Sequence, residues 1–349
     1  MRVIIVGATG NVGTSVIKSL AREPAVTSVL GLARRLPQWD AAKTQWARAD
    51  VATDDLVPHF RDAAVVVHLA SLFQPTHDPV TTWRANVLGS VRVFEAVARA
   101  GVPALVYASS VGAYSPGPKD RKVDETWPTH GWPTAGYTRE KAYVERVLDA
   151  FECRHPDIRV VRLRTAFIFK REAADQQRRL FAGPFFPRFL ARPGLIPVIP
   201  DLPGLRFQAM HSADAGDAYR RAITSSARGA FNIAAEPVLD PHRLAELLDA
   251  RVVRAPTGAL RTALAAAWHL HLVPVSPHLF DAVLRLPLMD TARAHTELGW
   301  SPGHSSVDAI REFLEGLRAG SGMPTPPLAA RAGGHSRAQE IKTGVGTEP

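Results

Sequence analysis

Tyr137 and Lys141 stand four residues apart in Tyr137-Thr138-Arg139-Glu140-Lys141, inside a segment with helical periodicity. On a helix that spacing places both side chains on one face. A free tyrosine has a pKa near 10, too high for a base at neutral pH. A neighbouring ammonium stabilises the phenolate and draws that value towards the working range, so the pair suits proton transfer to or from a hydroxyl. Alone, the pair has a plain reading as a half-buried tyrosine and a solvated lysine. Its chemical weight comes from what precedes it in the chain.

At the N-terminus, Val3-Ile4-Ile5-Val6 runs into Gly7-Ala8-Thr9-Gly10-Asn11-Val12-Gly13 and then into the helical pattern Thr14–Leu20. The three glycines have separate tasks: Gly7 makes a tight turn, Gly10 lets the backbone approach a pyrophosphate, and Gly13 permits close helix–strand packing. The following helix N-terminus supplies unpaired N–H groups and partial positive charge to phosphates. Placed between the first strand and first helix, this cradle points to a nicotinamide dinucleotide, whose oxidised ring would add a second positive charge near Tyr137. After the second strand an acid would bind the ribose hydroxyl of NAD, whereas arginine accommodates the 2′-phosphate of NADP. Here Gly31-Leu32-Ala33 is followed by Arg34 and Arg35, with no acid until Asp40. NADP(H) is therefore favoured, with NAD(H) left open.

These residues need a scaffold of alternating elements. The β-branched or apolar runs Val3–Val6, Val26–Leu32, Ala64–Leu69, Ala104–Tyr107 and Ile158–Leu163 are separated by helical segments such as Val12–Arg22, Trp83–Ala100 and Tyr137–Cys153. The alternation predicts an α/β fold, a Rossmann-type doubly wound parallel sheet over residues 1–170. From about Lys170 the rhythm breaks into proline- and aromatic-rich stretches. A smaller, less regular C-terminal substrate lobe is expected over 171–318, with some later segments returning to the first. The Gly-, Pro- and Ser-rich stretch 319–349 reads as a disordered tail.

In this order the motifs resemble those of the extended short-chain dehydrogenase/reductases, the NAD(P)-dependent epimerase/dehydratase family. Gly7, Gly10 and Gly13 match its Gly-x-x-Gly-x-x-Gly loop, with Thr9, Asn11 and Val12 lining the same cradle. Asp50-Val51 ends the third strand, where the family contacts adenine. His68-Leu69-Ala70-Ser71 resembles its segment beside the cofactor, which brings in Leu69 and Ala70. Asn86-Val87-Leu88-Gly89 resembles its N-x-x-G motif, Ser109-Ser110 with Tyr114 its strand-end serine motif, and Tyr137 with Lys141 its Y-x-x-x-K. Looser matches follow at Leu163-Arg164-Thr165, His211-Ser212-Ala213-Asp214, Phe231-Asn232-Ile233 and Leu298-Gly299-Trp300-Ser301-Pro302. The resemblance implies that Ser110 holds the substrate oxygen, Tyr137 is the acid/base and Lys141 bonds the nicotinamide ribose. It also implies a homodimer through two helices of the first lobe, and places Glu125 in a loop near substrate.

Composition narrows the field. A net charge of +9 invites a nucleic-acid reading, but the basic residues gather on no single run and lack interleaved aromatics. The single cysteine, Cys153, excludes an internal disulfide framework and a cysteine-based metal site. His269 and His271, two apart, point to different faces of a helix, so no metal is expected. The N-terminus does not read as a signal peptide and no apolar stretch is long enough to span a bilayer, so a cytoplasmic enzyme is expected; Ala259–Met289 reads as soluble or interfacial. The partner is a small-molecule substrate. The apolar residues Leu180, Phe181, Phe185, Phe186, Phe189, Leu190 and Leu195–Ile199 suit a lipophilic carbonyl compound. A nucleotide sugar needs cations for its diphosphate, which Arg178, Arg179, Arg188, Arg192 and Arg206 could supply. Net oxidoreduction, epimerisation or dehydration without net redox change, and non-catalytic NADP sensing all stay open; an intact Tyr137–Lys141 pair speaks against the last.

Overall fold

The structure, a computed structural model, describes residues 1–74, 76–183 and 192–330. Phe185, Phe186, Arg188, Phe189 and Leu190 lie outside the described residues, as does 331–349.

Short apolar runs covered on both faces favour parallel pairing. Seven of them form one parallel sheet: β1 (Arg2–Val6), β2 (Ser28–Ala33), β3 (Thr44–Arg48), β4 (Val65–His68), β5 (Ala104–Ser110), β6 (Arg159–Thr165) and β7 (Gly229–Ile233), in the order β7-β6-β5-β4-β1-β2-β3. Alternate residues serve opposite layers. Val3 and Ile5 pack with α1 (Asn11–Leu20), whereas Ile4 and Val6 pack with α2 (Gly89–Arg99) and α3 (Gly136–Arg154). A further helix, α4 (Ser212–Thr224), lies on α1; it and β7 come from the second half of the chain but belong to the first layer structure. The strand order reverses between β1 and β4, and ligands of open α/β sheets bind outside the strand carboxyl ends at such a reversal.

β3 was not anticipated from periodicity. It is an edge strand with β2 as its one partner, and Gln45 and Arg48 interrupt its apolar pattern. Asp50-Val51 accordingly follows β3 rather than ending it. The smaller lobe holds the parallel pair Val198–Asp201 and Arg251–Arg254, with helices Thr257–His269 and Pro277–Val283 built from the apolar stretch Ala259–Met289. Among the described residues no helix is long and apolar enough to cross a membrane.

The tail expectation needs correction at its start. Helix Ser306–Ala319 ends on Gly320 in a left-handed conformation, and residues up to 330 then pack back. Thr325 and Leu328 are buried, the Gln38 N–H donates to the Pro324 carbonyl, and Arg179 donates to that of Pro327. One buried leucine with specific backbone partners anchors a segment that composition alone marks as disordered.

Candidate active site at the switch point of the sheet

β1 delivers the glycine cradle to the reversal point. Gly7 takes a φ of +86°, and a Cβ there would lie 2.6 Å from the Ala70 nitrogen, so the turn after β1 touches the segment after β4 directly. That contact brings Gly7, Leu69 and Ala70 together. A Cβ on Gly13 would lie 2.6 Å from the carbonyl oxygens of Gly7 and Ala8, which fixes α1 tightly on the loop. Gly10 differs: a Cβ there would meet nothing closer than 3.7 Å. The first turn of α1 carries no acid and no side-chain cap, and Asn11 Oδ1 is buried without a partner while its Nδ2 donates to the Ile168 carbonyl. An open glycine, an electropositive helix end and an unused acceptor fit a dinucleotide. Thr9 is buried under the loop, and Val12 packs against the core.

Around the cradle, the Gly7 N–H donates to the Leu32 carbonyl at the end of β2, so exposed Arg34 and Arg35 follow within a few residues of the loop. The Asp50 carboxylate accepts from the Ala52 N–H, and Val51 is buried against Gly89. Both residues build the turn after β3, and there the Asp50 carboxylate and the Val51 side chain are engaged with the chain itself.

β5 ends on Ser110, whose Oγ accepts from the Gly112 N–H at 3.0 Å and whose hydroxyl acts to lower the pKa of neighbouring Tyr137. One turn into α3, Lys141 sits with its ammonium 2.8 Å from the Ala108 carbonyl oxygen and 5.8 Å from the centre of the Tyr137 ring. Burial holds the Lys141 amine down to about 8, against the pull of Glu140 and Glu145. Burial likewise pushes the Tyr137 phenol above its ordinary value, only partly offset by Ser110. The expected lowering of the phenol by its lysine is thus absent in the chain alone, because desolvation outweighs an ammonium that is turned towards Ala108.

Asn86 lines a narrow cleft with Ala70, Tyr137 and Lys141. Its amide grips the loop after β4, accepting from the Leu72 N–H at 2.6 Å and donating to the Leu72 carbonyl at 2.7 Å and to Glu140 at 2.6 Å. Asn86 therefore shapes the wall of the site. His68, at the end of β4, is fully buried against Ser90, and burial lowers its pKa to about 3, so it stays neutral.

The buried ionic network that supports the site escaped sequence reasoning. Glu145 is fully buried, accepts from Ser109 at 2.5 Å, and meets Arg164 through two 3.0 Å contacts and Arg162 through another. Arg164 continues to Tyr114 at 3.0 Å, and Tyr114 donates to Asn232 at 2.6 Å. This chain of bonds locks the end of β5, and with it Ser110, to α3. The signal was present: Lys141, Glu145 and Leu148 share one helical stripe, and two charges on a core-facing stripe imply buried partners. Glu125 belongs here too, since its carboxylate accepts from the Asn232 N–H. The structure gives it this framework contact in place of the expected substrate-facing one.

In front of Ser110 and Tyr137 opens a cavity of about 620 Å³. Its walls are aromatic and aliphatic, with Phe73, Phe167, Phe181, Phe207, Phe280 and Leu279 prominent. The lining arginine, Arg178, is already held by Asp175 at 3.1 Å and the Gly183 carbonyl at 2.9 Å. Arg206 is drawn to the Lys119 carbonyl, and Arg179 to Asp175 and the Pro327 carbonyl. Among the described residues, then, the expected cations do not converge on the cavity. No group of metal-ligating side chains is present among them either.

Comparison with known proteins bears on this geometry. The model of the NAD dependent epimerase/dehydratase family matches residues 3–234. An uncharacterized protein of Mycobacterium tuberculosis is 25% identical over 331 residues, covering 90% of this chain and 83% of its own length. The decarboxylating sterol-4-alpha-carboxylate 3-dehydrogenase of Candida albicans is 32% identical over 181 residues, which is 48% of this chain and 50% of that one. In fold, the UDP-glucose 4-epimerase of Thermus thermophilus, solved in complex with NAD, superposes with a TM-score of 0.66 at 22% identity, covering 91% of this chain and 99% of that chain.

Proposed function

The chain belongs to the NAD dependent epimerase/dehydratase family and is a nicotinamide-dependent enzyme of that type; on that premise we propose that it interconverts a secondary alcohol and a ketone on an apolar substrate, with NADP(H) as the preferred cofactor. The cavity carries this reading. Its wall is largely apolar, broken by Thr138, Thr165 and Gln177 besides Ser110 and Tyr137, and Arg178, which could have met a diphosphate, is neutralised by Asp175.

Gly7, Gly10 and Gly13 with the α1 N-terminus would hold the diphosphate, and Arg34 and Arg35 the 2′-phosphate. When bound, the nicotinamide supplies the hydride acceptor or donor and a positive charge in its oxidised form. Ser110 holds the substrate oxygen by a hydrogen bond. Tyr137 takes the hydroxyl proton in oxidation and returns one to the carbonyl oxygen in reduction. Lys141 keeps positive charge behind the Tyr137 ring and favours the phenolate once that ring is ionised. Phe73 and Phe181, 4.8 Å apart with Phe73 5.0 Å from Tyr137, keep water from the phenol.

A nucleotide-sugar epimerisation is the second reading, favoured by the likeness to a UDP-glucose 4-epimerase. Consumption of cofactor separates the two. An apolar ketone should oxidise one NADPH per product formed, whereas a UDP-sugar interconverted with no net loss of cofactor would overturn the proposal.

A further inference from the structure

Lys170 is a buried cation whose hydrogen-bond partners are all neutral. It follows the strand Phe167–Phe169, is 3% exposed, and takes no part in the chemistry above. Its ammonium donates to the Asn11 carbonyl at 2.9 Å, Thr14 Oγ1 at 2.6 Å and Ser15 Oγ at 3.3 Å. All three oxygens belong to the first turns of α1. The N-terminal end of that helix is already electropositive, so a cation braced on its first turns gains no counter-charge from the dipole. Desolvating an ammonium costs several kcal/mol unless a partner of opposite sign compensates.

Among the described residues, the neighbouring elements do not supply a counter-charge in contact with it. On α1, Lys18 pairs with Glu172 at 3.4 Å. Arg171, next in the chain, pairs with Glu315 of the helix Ser306–Ala319. His211, whose strand pairs with Phe167–Phe169, is bound to Glu312 at 3.2 Å, and Asp214 of α4 to His304 at 3.1 Å. Burial holds the Lys170 amine down at about 7, with Glu172 raising it and Lys18 lowering it further.

We propose that the missing counter-charge is the dinucleotide's diphosphate, and that Lys170 is a positioning residue which acts on it through the first turn of α1 and takes up a proton when the cradle fills. The inference rests on the dinucleotide reading of the glycine loop. An anion above the first turn favours the ammonium form, and by reciprocity the ammonium form favours the anion. Affinity is then highest below about pH 7, where Lys170 is charged already. It weakens as pH rises towards the higher value Lys170 has in the complex, about tenfold for each unit by which the anion raises it.

The test is calorimetric titration with ADP-ribose, which has the diphosphate but no nicotinamide, and whose two phosphates keep fixed charge across this range. Performed in two buffers of different ionisation enthalpy, it counts protons directly. For the wild type we expect uptake of a fraction of a proton near pH 8 and binding about tenfold weaker at pH 9 than at pH 6.5. Lys170→Met should bind weakly and without this slope, whereas Lys119→Met, which removes another half-buried amine held at about 8 but bonded to the Arg206 and Val283 carbonyls away from the cradle, should keep both slope and uptake. No proton uptake by the wild type, or a slope that survives in Lys170→Met or vanishes in Lys119→Met, overturns the role of Lys170; the first outcome needs no variant to fold. Absence of ADP-ribose binding at every pH overturns the dinucleotide reading itself, and the inference with it.

Discussion

The Lys141 ammonium lies 2.8 Å from the Ala108 carbonyl oxygen yet 5.8 Å from the centre of the Tyr137 ring. In the free protein the lysine therefore serves the end of β5 more closely than it serves the phenol. With the amine titrating at about 8 and the phenol above its ordinary 10, the chain alone reaches no pH at which ammonium and phenolate coexist in quantity. The oxidised cofactor's positive charge is the natural agent for closing that gap.

It follows that spectral titration of the free protein should show no Tyr137 phenolate near neutral pH, and that added NADP⁺ should bring one in. Alcohol oxidation needs the phenolate, so its rate should rise with pH up to the pKa in the complex; ketone reduction needs the phenol and should fall through the same value. In Lys141→Met both limbs should move to higher pH by on the order of one unit. Tyr137→Phe should lose on the order of 10²–10⁴ in turnover with cofactor affinity retained. Limbs that stay in place in Lys141→Met would remove the lysine from the proton step.

The two glycines of the cradle should separate fold from binding. Gly7→Ala meets the Ala70 backbone at 2.6 Å with φ at +86°, so thermal unfolding should move down by the equivalent of about 1–3 kcal/mol or more. Gly10→Ala meets nothing closer than 3.7 Å and should keep its melting temperature while nucleotide affinity drops. A Gly10→Ala protein that binds cofactor normally would place the phosphates elsewhere.

Glu145 should dominate the acid limb of stability. Burial acts to raise its pKa, but Arg164 and Arg162 prevail and hold it at about 2. A carboxylate depressed on folding contributes stability that is complete above about pH 4.5 and lost as pH falls towards 2. Glu145→Gln should flatten that part of the stability curve and, by stranding two buried arginines, cost about 3–5 kcal/mol at neutral pH in chemical denaturation. An unchanged acid limb would show that the ion pairs are matched in the unfolded chain.

The proposed preference for NADP(H) turns on Arg34. Its replacement by Ala should weaken NADPH by about tenfold or more, the scale of a hydrogen bond to a charged group, and leave NADH nearly unaffected in fluorescence titrations. Equal losses for both cofactors would rule out recognition of the 2′-phosphate.

How much of this was legible follows from which residues face which neighbours. The parallel sheet, the cradle and the Tyr137–Lys141 face were readable because each depends on local pattern: β-branched runs, glycine spacing, a four-residue offset. The edge strand Thr44–Arg48 was not, since half-exposed polar residues erase its periodicity. The roles of Glu145, Arg164 and Lys170 were missed because their meaning lies in partners 17 to 159 residues away, which spacing does not reveal. Leu328 illustrates the same point from the apolar side: one buried leucine orders a segment whose composition predicts disorder.

The central claim is net hydride transfer to an apolar carbonyl, and isotope tracing tests it most directly. NADPH carrying deuterium at the transferred position would be incubated with the protein and a set of apolar cyclic ketones, with UDP-glucose in parallel. Deuterium is expected on the carbinol carbon of an apolar product, in amount equal to the cofactor oxidised, and none of this in Tyr137→Phe. Interconversion of the UDP-sugar with no net cofactor oxidised, alongside inert ketones, would contradict it.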